Sequence, residues 1–537
     1  MTFKNQVFLK QCKAKCFTPP RWQSKPTGLV LALVAAFVLF SACRGGSNPE
    51  EIIEVIDNPN EPPALPTVAI TVSGDYTGPT LDVNYLEKLT STEIKTISGT
   101  ITNSGTVALP SQPPKGALIV SITAGPNTSY VGRRTGASTI ALNLKLDASG
   151  IPEFRPADSE NKIPIGTYAE FQLINGTLGG SYKQEADLDF MGESGISGVP
   201  EWAPIGTDTT PFTGTFDGAN KTIDRLYINK PNDYYVGLFG AAAGSSSFAN
   251  VNIKTGSVTG KAYVGGLLGS SVGNSSVIVN NCSNGANITG TGQYFHPYYE
   301  VLWDACIGGL LGYINYETSK ISNCHNSGNV TGLGPGVGGV VGISMADIIG
   351  CSNSGSILNN DKSGNSLIST NTGGVVGEGK DNIIACYNTG DVTGTGEYTG
   401  GVAGVAGKSF GVSNIMTACY NTGKVAGAGS TGGVVGASNA IVTACYNTGE
   451  VTGTSFVYSI GSAKNDDVTI SYWKKDSCSA NTTKGWKNGG ENAGIFDAYF
   501  TPPSSPEWGT GDGSESGKYW KANVDYTKSL PKLWYEK

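Results

Sequence analysis

Thr431-Gly-Gly-Val-Val-Gly436, followed after a short spacer by Cys445-Tyr-Asn-Thr-Gly449, is one copy of a phrase that this chain repeats six times. The other copies open at Val264–Gly269, Ile307–Gly312, Val337–Gly342, Thr372–Gly377 and Thr399–Gly404, and each leads to a Cys-x-Asn. The second Gly of each pair falls at 266, 309, 339, 374, 401 and 433, in steps of 43, 30, 35, 27 and 32 residues. Self-similarity at this period is the mark of a solenoid. The steps suit one coil of a β-helix with loops of variable length.

Apolar residues hold register around each Cys. Three positions before it stand Val279, Ile321, Ile348, Ile383, Met416 and Val442; six after it stand Ile288, Val330, Ile357, Val392, Val425 and Val451. An odd offset cannot lie on one face of a flat strand, because side chains alternate, so the chain bends between the two as at a coil's corner. Gly-Gly lets backbone approach backbone inside a narrow bore. Helices at this Gly density would be weakened by about 1 kcal/mol per Gly. In-register stacking then predicts two columns. One is Cys282, Cys324, Cys351, Cys386, Cys419 and Cys445; the other is Asn284, Asn326, Asn353, Asn388, Asn421 and Asn447. Stacked Asn amides can bond along a ladder. The Gly two beyond five of these Asn marks a turn, and Ala286 is the exception. Parallel neighbours sit about 4.8 Å apart, wider than the roughly 3.8 Å that bridged Cβ atoms want, so the Cys column reads as buried, reduced thiols. A column does not converge on a point, so no metal is expected there. Cys306 and Cys478 fall outside it, and a bridge from Cys306 is left open.

Upstream, Thr167–Ile174 can form a short helix, and Asp217-Gly218 is a tight-turn signal. The order Asp187-Leu-Asp-Phe190, Trp202-Ala-Pro-Ile-Gly206, Phe212-Thr-Gly-Thr-Phe-Asp-Gly218, Tyr235-Val-Gly-Leu-Phe-Gly240 closely resembles the lead-in of proteins bearing the GLUG motif. That family includes bacterial surface proteins and some immunoglobulin A peptidases. The resemblance covers roughly residues 163–537 and implies a β-solenoid at the cell surface; it implies no activity. Ser529-Leu-Pro-Lys-Leu-Trp-Tyr535 resembles the closing segment of related repeat proteins.

The chain begins with a basic stretch, then Gly28–Ala42, then Cys43. This pattern reads as an export signal too short for a comfortable membrane span. Phe40-Ser-Ala-Cys43 resembles a bacterial lipobox, with Phe40 where Leu is usual, and the resemblance implies acylation of Cys43. Acyl chains add about 0.8 kcal/mol of membrane affinity per buried CH₂. Residues 44–65 are rich in Pro, Asn and acids and read as a solvated tether. Short β runs at Val68–Val72, Thr96–Ile101, Ala117–Ile122 and Ile140–Leu144, with turns at Ser104-Gly105 and Pro126-Asn127, suggest a small β-sandwich. The expected organisation is thus a signal peptide (1–42), tether (43–66), β-sandwich-like domain (67–160), lead-in (161–235), repeat solenoid (236–464) and Trp-rich cap (465–537). The cap is expected to cover the open edges of the last coil. A Trp-lined glycan site is the sharper reading of that segment.

Gly supplies 76 of the 537 residues, concentrated in the repeats, and charged residues are 15%. Lys4, Lys10, Lys13, Lys15, Arg21 and Lys25 precede residue 43 and no acid precedes Glu50, so without these six cations the net charge of −7 becomes −13. So acidic a chain makes a poor partner for nucleic acid.

Candidates for chemistry are few. His325 occupies a slot held elsewhere by Ser283, Ser352, Tyr387, Tyr420 and Tyr446, and reads as an exposed variant. His296 lies in the aromatic insertion Tyr294–Tyr299. No HExxH zinc helix is present, and Gly394-Thr-Gly396 opens no helix. Asp187 and Asp189 could hold calcium, but an exposed strand face is the plainer reading. The slot five after the Cys holds Asn287, Asn329, Ser356, Asp391, Lys424 and Glu450, and so reads as a solvated face. The expectation is a surface protein without catalytic residues, cofactor or metal. It would be held to the outer membrane by its lipid, with a face for a host or matrix protein or a glycan. A polysaccharide lyase or hydrolase on a β-helix, or a plain stalk, are the alternatives. Acids and bases meeting in a cleft would favour the enzyme.

Overall fold

The computed structural model describes the backbone of seven strands between Thr67 and Leu146. From Pro152 on it describes the chain apart from 191–200, 361–368, 408–413, 464–467, 479–493, 503–507, 512–517, parts of 293–304 and isolated residues. Cys43, the signal segment and the tether lie outside the described residues.

The strands before residue 154 form two four-stranded sheets. One runs in the order Ser104–Ala108, Thr67–Val72, Ile140–Leu146, Pro152–Glu153; the other runs Ile94–Gly99, Leu81–Leu86, Ile119–Thr123, Ser129–Arg133. Ser104-Gly105 is not a turn. Both residues pair with Thr67–Val72, Gly105 opposite Ile70, and this pairing overrides the weak strand preference of Gly.

From Ile163 onward the chain winds as a parallel β-solenoid with four lengthwise sheets of 11, 11, 14 and 8 strands. One coil shows the plan: Val330–Gly332, Gly336–Gly338, Val341–Ser344, Asp347–Ile349 and Ser352–Asn353, each hydrogen-bonded in parallel to its counterpart one coil on. The apolar residues three before and six after each Cys are all buried. Between the first of these and the Cys stands a residue with left-handed backbone, which makes the bend. These residues are Asn281, Asn323, Gly350, Ala385, Ala418 and Ala444, with φ between 51° and 67°. Asn and Gly suit that conformation; for Ala it costs about 1 kcal/mol.

The second Gly of each pair answers to the Asn column across the bore. A Cβ on Gly339 would stand 2.0 Å from Gly374 O and 2.4 Å from Asn353 Cγ; on Gly433 it would meet Ser459 O at 2.1 Å and Asn447 Cγ at 2.5 Å. The two halves of the repeated phrase are therefore one packing unit.

Parallel pairing extends past both boundaries expected for the repeats. Ile163–Ile165, Ser181–Gln184 and Thr215–Asp217 already stack in register, so 161–235 is part of the solenoid. Phe456–Tyr458, Val468–Thr469 and Tyr472–Lys474 add a further coil beyond 464. Aromatic residues fill the interior of the first coils in place of the Gly-Gly and Cys-x-Asn marks, whereas Val457, Ile460 and Val468 are buried in the last. The helix Tyr168–Leu173 sits at the first end of the stack. Thr167 caps it, with Glu170 returning the bond to the Thr167 amide, and Arg155 pairs with Glu170. Phe171 fills that end of the bore among Trp202, Phe216, Phe190 and Phe239, with ring centroids 5.0–6.2 Å away.

Candidate interaction surfaces

The inward columns build the framework. Each Asn amide donates to the next coil's Asn oxygen, from Asn284 through Asn326, Asn353, Asn388 and Asn421 to Asn447, at 2.8–2.9 Å. The amide also donates to the carbonyl two residues on, for instance Gly355 O from Asn353 at 2.7 Å. All six side chains are buried. Trp473 takes the next position and ends the ladder.

The six Cys form a parallel column, each thiol 3.2–3.5 Å from the carbonyl two residues before it. A second, longer contact reaches the preceding coil, as from Cys386 Sγ to Ile348 O at 3.6 Å. Burial pushes the Cys282, Cys351 and Cys419 thiols up, so they stay protonated. None of the eight described cysteines is bridged. Cys306 packs with Ala262, Tyr263, Ala305 and Ile343, and Cys478 lies beside Ser459.

The slot after each Cys faces outward. Tyr387, Tyr420 and Tyr446 stack there with centroids 4.9 and 4.7 Å apart and planes within 3°. Tyr472 continues the register. The described part of residues 494–536 folds back along this flank as a strap. Phe496, Phe500, Trp508, Tyr519, Trp520 and Leu533 bury the tyrosines together with Ala385, Ala418 and Ala444. Tyr446 donates to Pro531 O at 2.8 Å, Tyr420 to Glu536 Oε2 at 2.6 Å, and Tyr535 to Ala385 O at 2.8 Å. Trp534 reaches as far back as Gly350. The segment expected to cap the last coil does so with Gly494–Phe496, paired in parallel on Tyr472–Lys474, and in its remaining described residues forms a lateral strap, because outward rings at four successive coils need cover along the array.

His325 is not exposed. It is half-buried in this same slot, with Nδ1 2.9 Å from Ser352 Oγ one coil on, and burial lowers its pKa. Asp189 pairs with the Arg225 guanidinium and Asp187 accepts from the Thr222 amide at 2.7 Å. Among the described residues no cluster of His, Cys, Asp or Glu could hold a metal. The backbone of the aromatic insertion forms a hairpin, Tyr294–His296 against Val301–Trp303.

One open surface among the described residues lies on the 14-stranded sheet. It carries one column of Ser257, Asn287, Asn329, Ser356, Asp391, Lys424 and Glu450. Beside it runs Thr259, Thr289, Thr331, Leu358, Thr393, Ala426 and Thr452. Side chains of the first column accept from the next coil's backbone: Asn287 from Asn329 N and Asp391 from Lys424 N at 3.1 Å, and Asn329 from Ser356 N at 3.0 Å. Lys424 Nζ lies 3.1 Å from Glu450, whose hydrogen bond raises the lysine pKa. A depression of about 320 Å³ opens between the columns at Asp391, Thr393, Lys424, Ala426, Glu450 and Thr452. Sequence reading treats these charges as scattered; three consecutive coils bring them together.

Residues 304–331 match the family model described as the GLUG motif. Over 163 residues the chain is 34% identical to halomucin of Haloquadratum walsbyi, an overlap of 29% of this chain and 2% of halomucin. Over 126 residues it is 29% identical to a protein of Evansella cellulosilytica provisionally named a Gly-rich membrane protein, covering 23% of this chain and 14% of that one. The chain thus spans a small part of the length of these curated relatives. A crystal structure from Bacteroides ovatus, provisionally named an immunoglobulin A1 protease, is 16% identical. That similarity extends over 71% of this chain and 95% of the other, with a TM-score of 0.36. Residues 304–331 thus carry a GLUG motif, and they hold one of the six copies that stack in register in a parallel β-solenoid.

Proposed function

We propose that this chain is a lipid-anchored protein of the bacterial surface whose solenoid presents an interaction face to a glycan or matrix protein. The observation that carries this reading is the outward face of the 14-stranded sheet. Seven coils align there a column of hydroxyl, amide and charged groups beside a column of mostly threonine, and the strap covers a different flank. A repeat array of this kind multiplies weak contacts along its length. The lipobox-like Phe40–Cys43 and relatives named halomucin and a membrane protein support the location. Acids and a base do meet at the depression, but Lys424 and Glu450 there satisfy each other as an exposed ion pair and Asp391 accepts from a backbone amide, which suits a binding surface.

Intact cells expressing the full chain would be probed on arrays of glycans and matrix proteins, before and after surface proteolysis. Protease-sensitive capture of one ligand class is the expected result; no capture, with the chain inaccessible to protease, would defeat the reading. Cys43→Ala should lose labelled palmitate, and equal incorporation by the variant would refute the anchor.

A further inference from the structure

The depression on the open face has a shape and chemistry of its own. Ala426 is the smallest residue in the threonine column, between Thr393 and Thr452 on adjacent coils. It lines a hollow whose volume of about 320 Å³ lies at the lower end of small-ligand sites. The hollow's apolar lining is the Ala426 methyl together with Val392. Hydroxyls of Thr393 and Thr452 stand at either end along the solenoid axis, and Asp391, Lys424 and Glu450 form one wall. Successive coils repeat these groups at about 4.8 Å. The wall holds two carboxylates and one ammonium: Lys424 lies against Glu450, and its backbone amide donates to Asp391. The wall thus offers both acceptors and donors.

We infer that this hollow seats one ring of an uncharged polysaccharide lying along the solenoid axis. A sugar ring presents an apolar C–H face and a rim of hydroxyls. The apolar lining takes the first; the threonine, carboxylate and ammonium groups take the second. The excess of one carboxylate in the wall, on a chain of net charge −7, disfavours a polyanion. The open ends of the hollow admit a polymer. This inference rests on the interaction-face reading and specifies its site.

The test uses the full-length protein in detergent, with a soluble uncharged β-glucan, an anionic polyuronate and a cationic amino-sugar polymer as probes. The β-glucan should bind best. Ala426→Trp fills the hollow from an outward position and should weaken binding at least about tenfold, or 1.4 kcal/mol. The Thr393→Val, Thr452→Val double variant keeps shape and removes hydroxyls, and should weaken it several-fold. Lys320→Trp, exposed on an 11-stranded sheet away from this face, should bind as the parent does; circular dichroism would show each variant folded. If Thr289→Trp, in the same column as Ala426 but away from the hollow, abolishes binding and Ala426→Trp does not, the hollow is the wrong site while the interaction face stands. Preference for the polyuronate would overturn the charge argument. Capture of matrix protein with no glycan bound would overturn this inference alone.

Discussion

Asn353 shows how much one buried amide holds. It donates to Asn388 Oδ1 and Gly355 O and accepts from Asn326. Asn353→Ala would strand groups on two neighbouring coils, each unpaired group costing about 1–3 kcal/mol. We expect a loss of about 3 kcal/mol at this coil, read as faster hydrogen exchange of Ile357 and Val392 amides; unchanged exchange there would contradict the ladder's role. Gly339→Ala should yield no soluble folded protein, since its Cβ would collide with Gly374 O. Glu536 is the residue with a pH signature. Burial raises its pKa, opposed by the hydrogen bond from Tyr420 and the charges of Lys532 and Lys521. A carboxyl raised in the folded state stabilises fully below its unfolded pKa, and the contribution is lost as pH rises through the folded value. The strap should therefore open more readily as pH climbs above the ordinary glutamate range, and Glu536→Gln should flatten that dependence. Strap hydrogen exchange, corrected for the intrinsic effect of pH, would show a slope unaltered by Glu536→Gln if another group is responsible.

At the level of the coil, the inward pattern is plain in the sequence and the outward pattern is not. Cys, Asn and Gly-Gly recur at fixed offsets because the bore admits one solution at each level. The strap's footprint is written in residues that change type instead: left-handed Asn281 and Asn323 give way to Ala385, Ala418 and Ala444, and Ser283, His325 and Ser352 give way to Tyr. No repeat search marks a substitution of that kind as a signal, and its partner lies up to 150 residues away, as for Tyr535 on Ala385. Asp391, Lys424 and Glu450 are legible as one slot, but its mixed charge reads as a solvated face and the depression beside it leaves no mark in the sequence. The Cys column leads to a prediction at this scale. Alkylation of the unfolded, unreduced protein followed by mass spectrometry should find Cys282, Cys324, Cys351, Cys386, Cys419 and Cys445 as free thiols. Bridges among them would contradict a parallel column with neighbours about 4.8 Å apart.

Across the whole molecule, a solenoid coil contacts only its neighbours, so an unclamped array frays from its end one coil at a time. The strap breaks that rule by touching the coils of Gly350, Ala385, Tyr420, Tyr446 and Tyr472 together. Trp520 is fully buried at its centre, and Trp520→Ala should remove about 3–5 kcal/mol there. Limited proteolysis should then cut first near Cys445 and leave the coils around Gly266 intact; uniform sensitivity along the array would argue against coupling by the strap.

The strap also works as a ruler. Its length is matched to a fixed number of coils, and Phe500, Trp520 and Tyr535 each answer to a ring or carbonyl at a set height. A coil gained or lost by recombination between Gly266 and Cys324 moves nothing the strap touches. The same event between Gly350 and Tyr472 slips each contact by one coil, about 4.8 Å, and sets tyrosine against the wrong partner. Repeat number in such an array is free to drift near its beginning and is counted at its end.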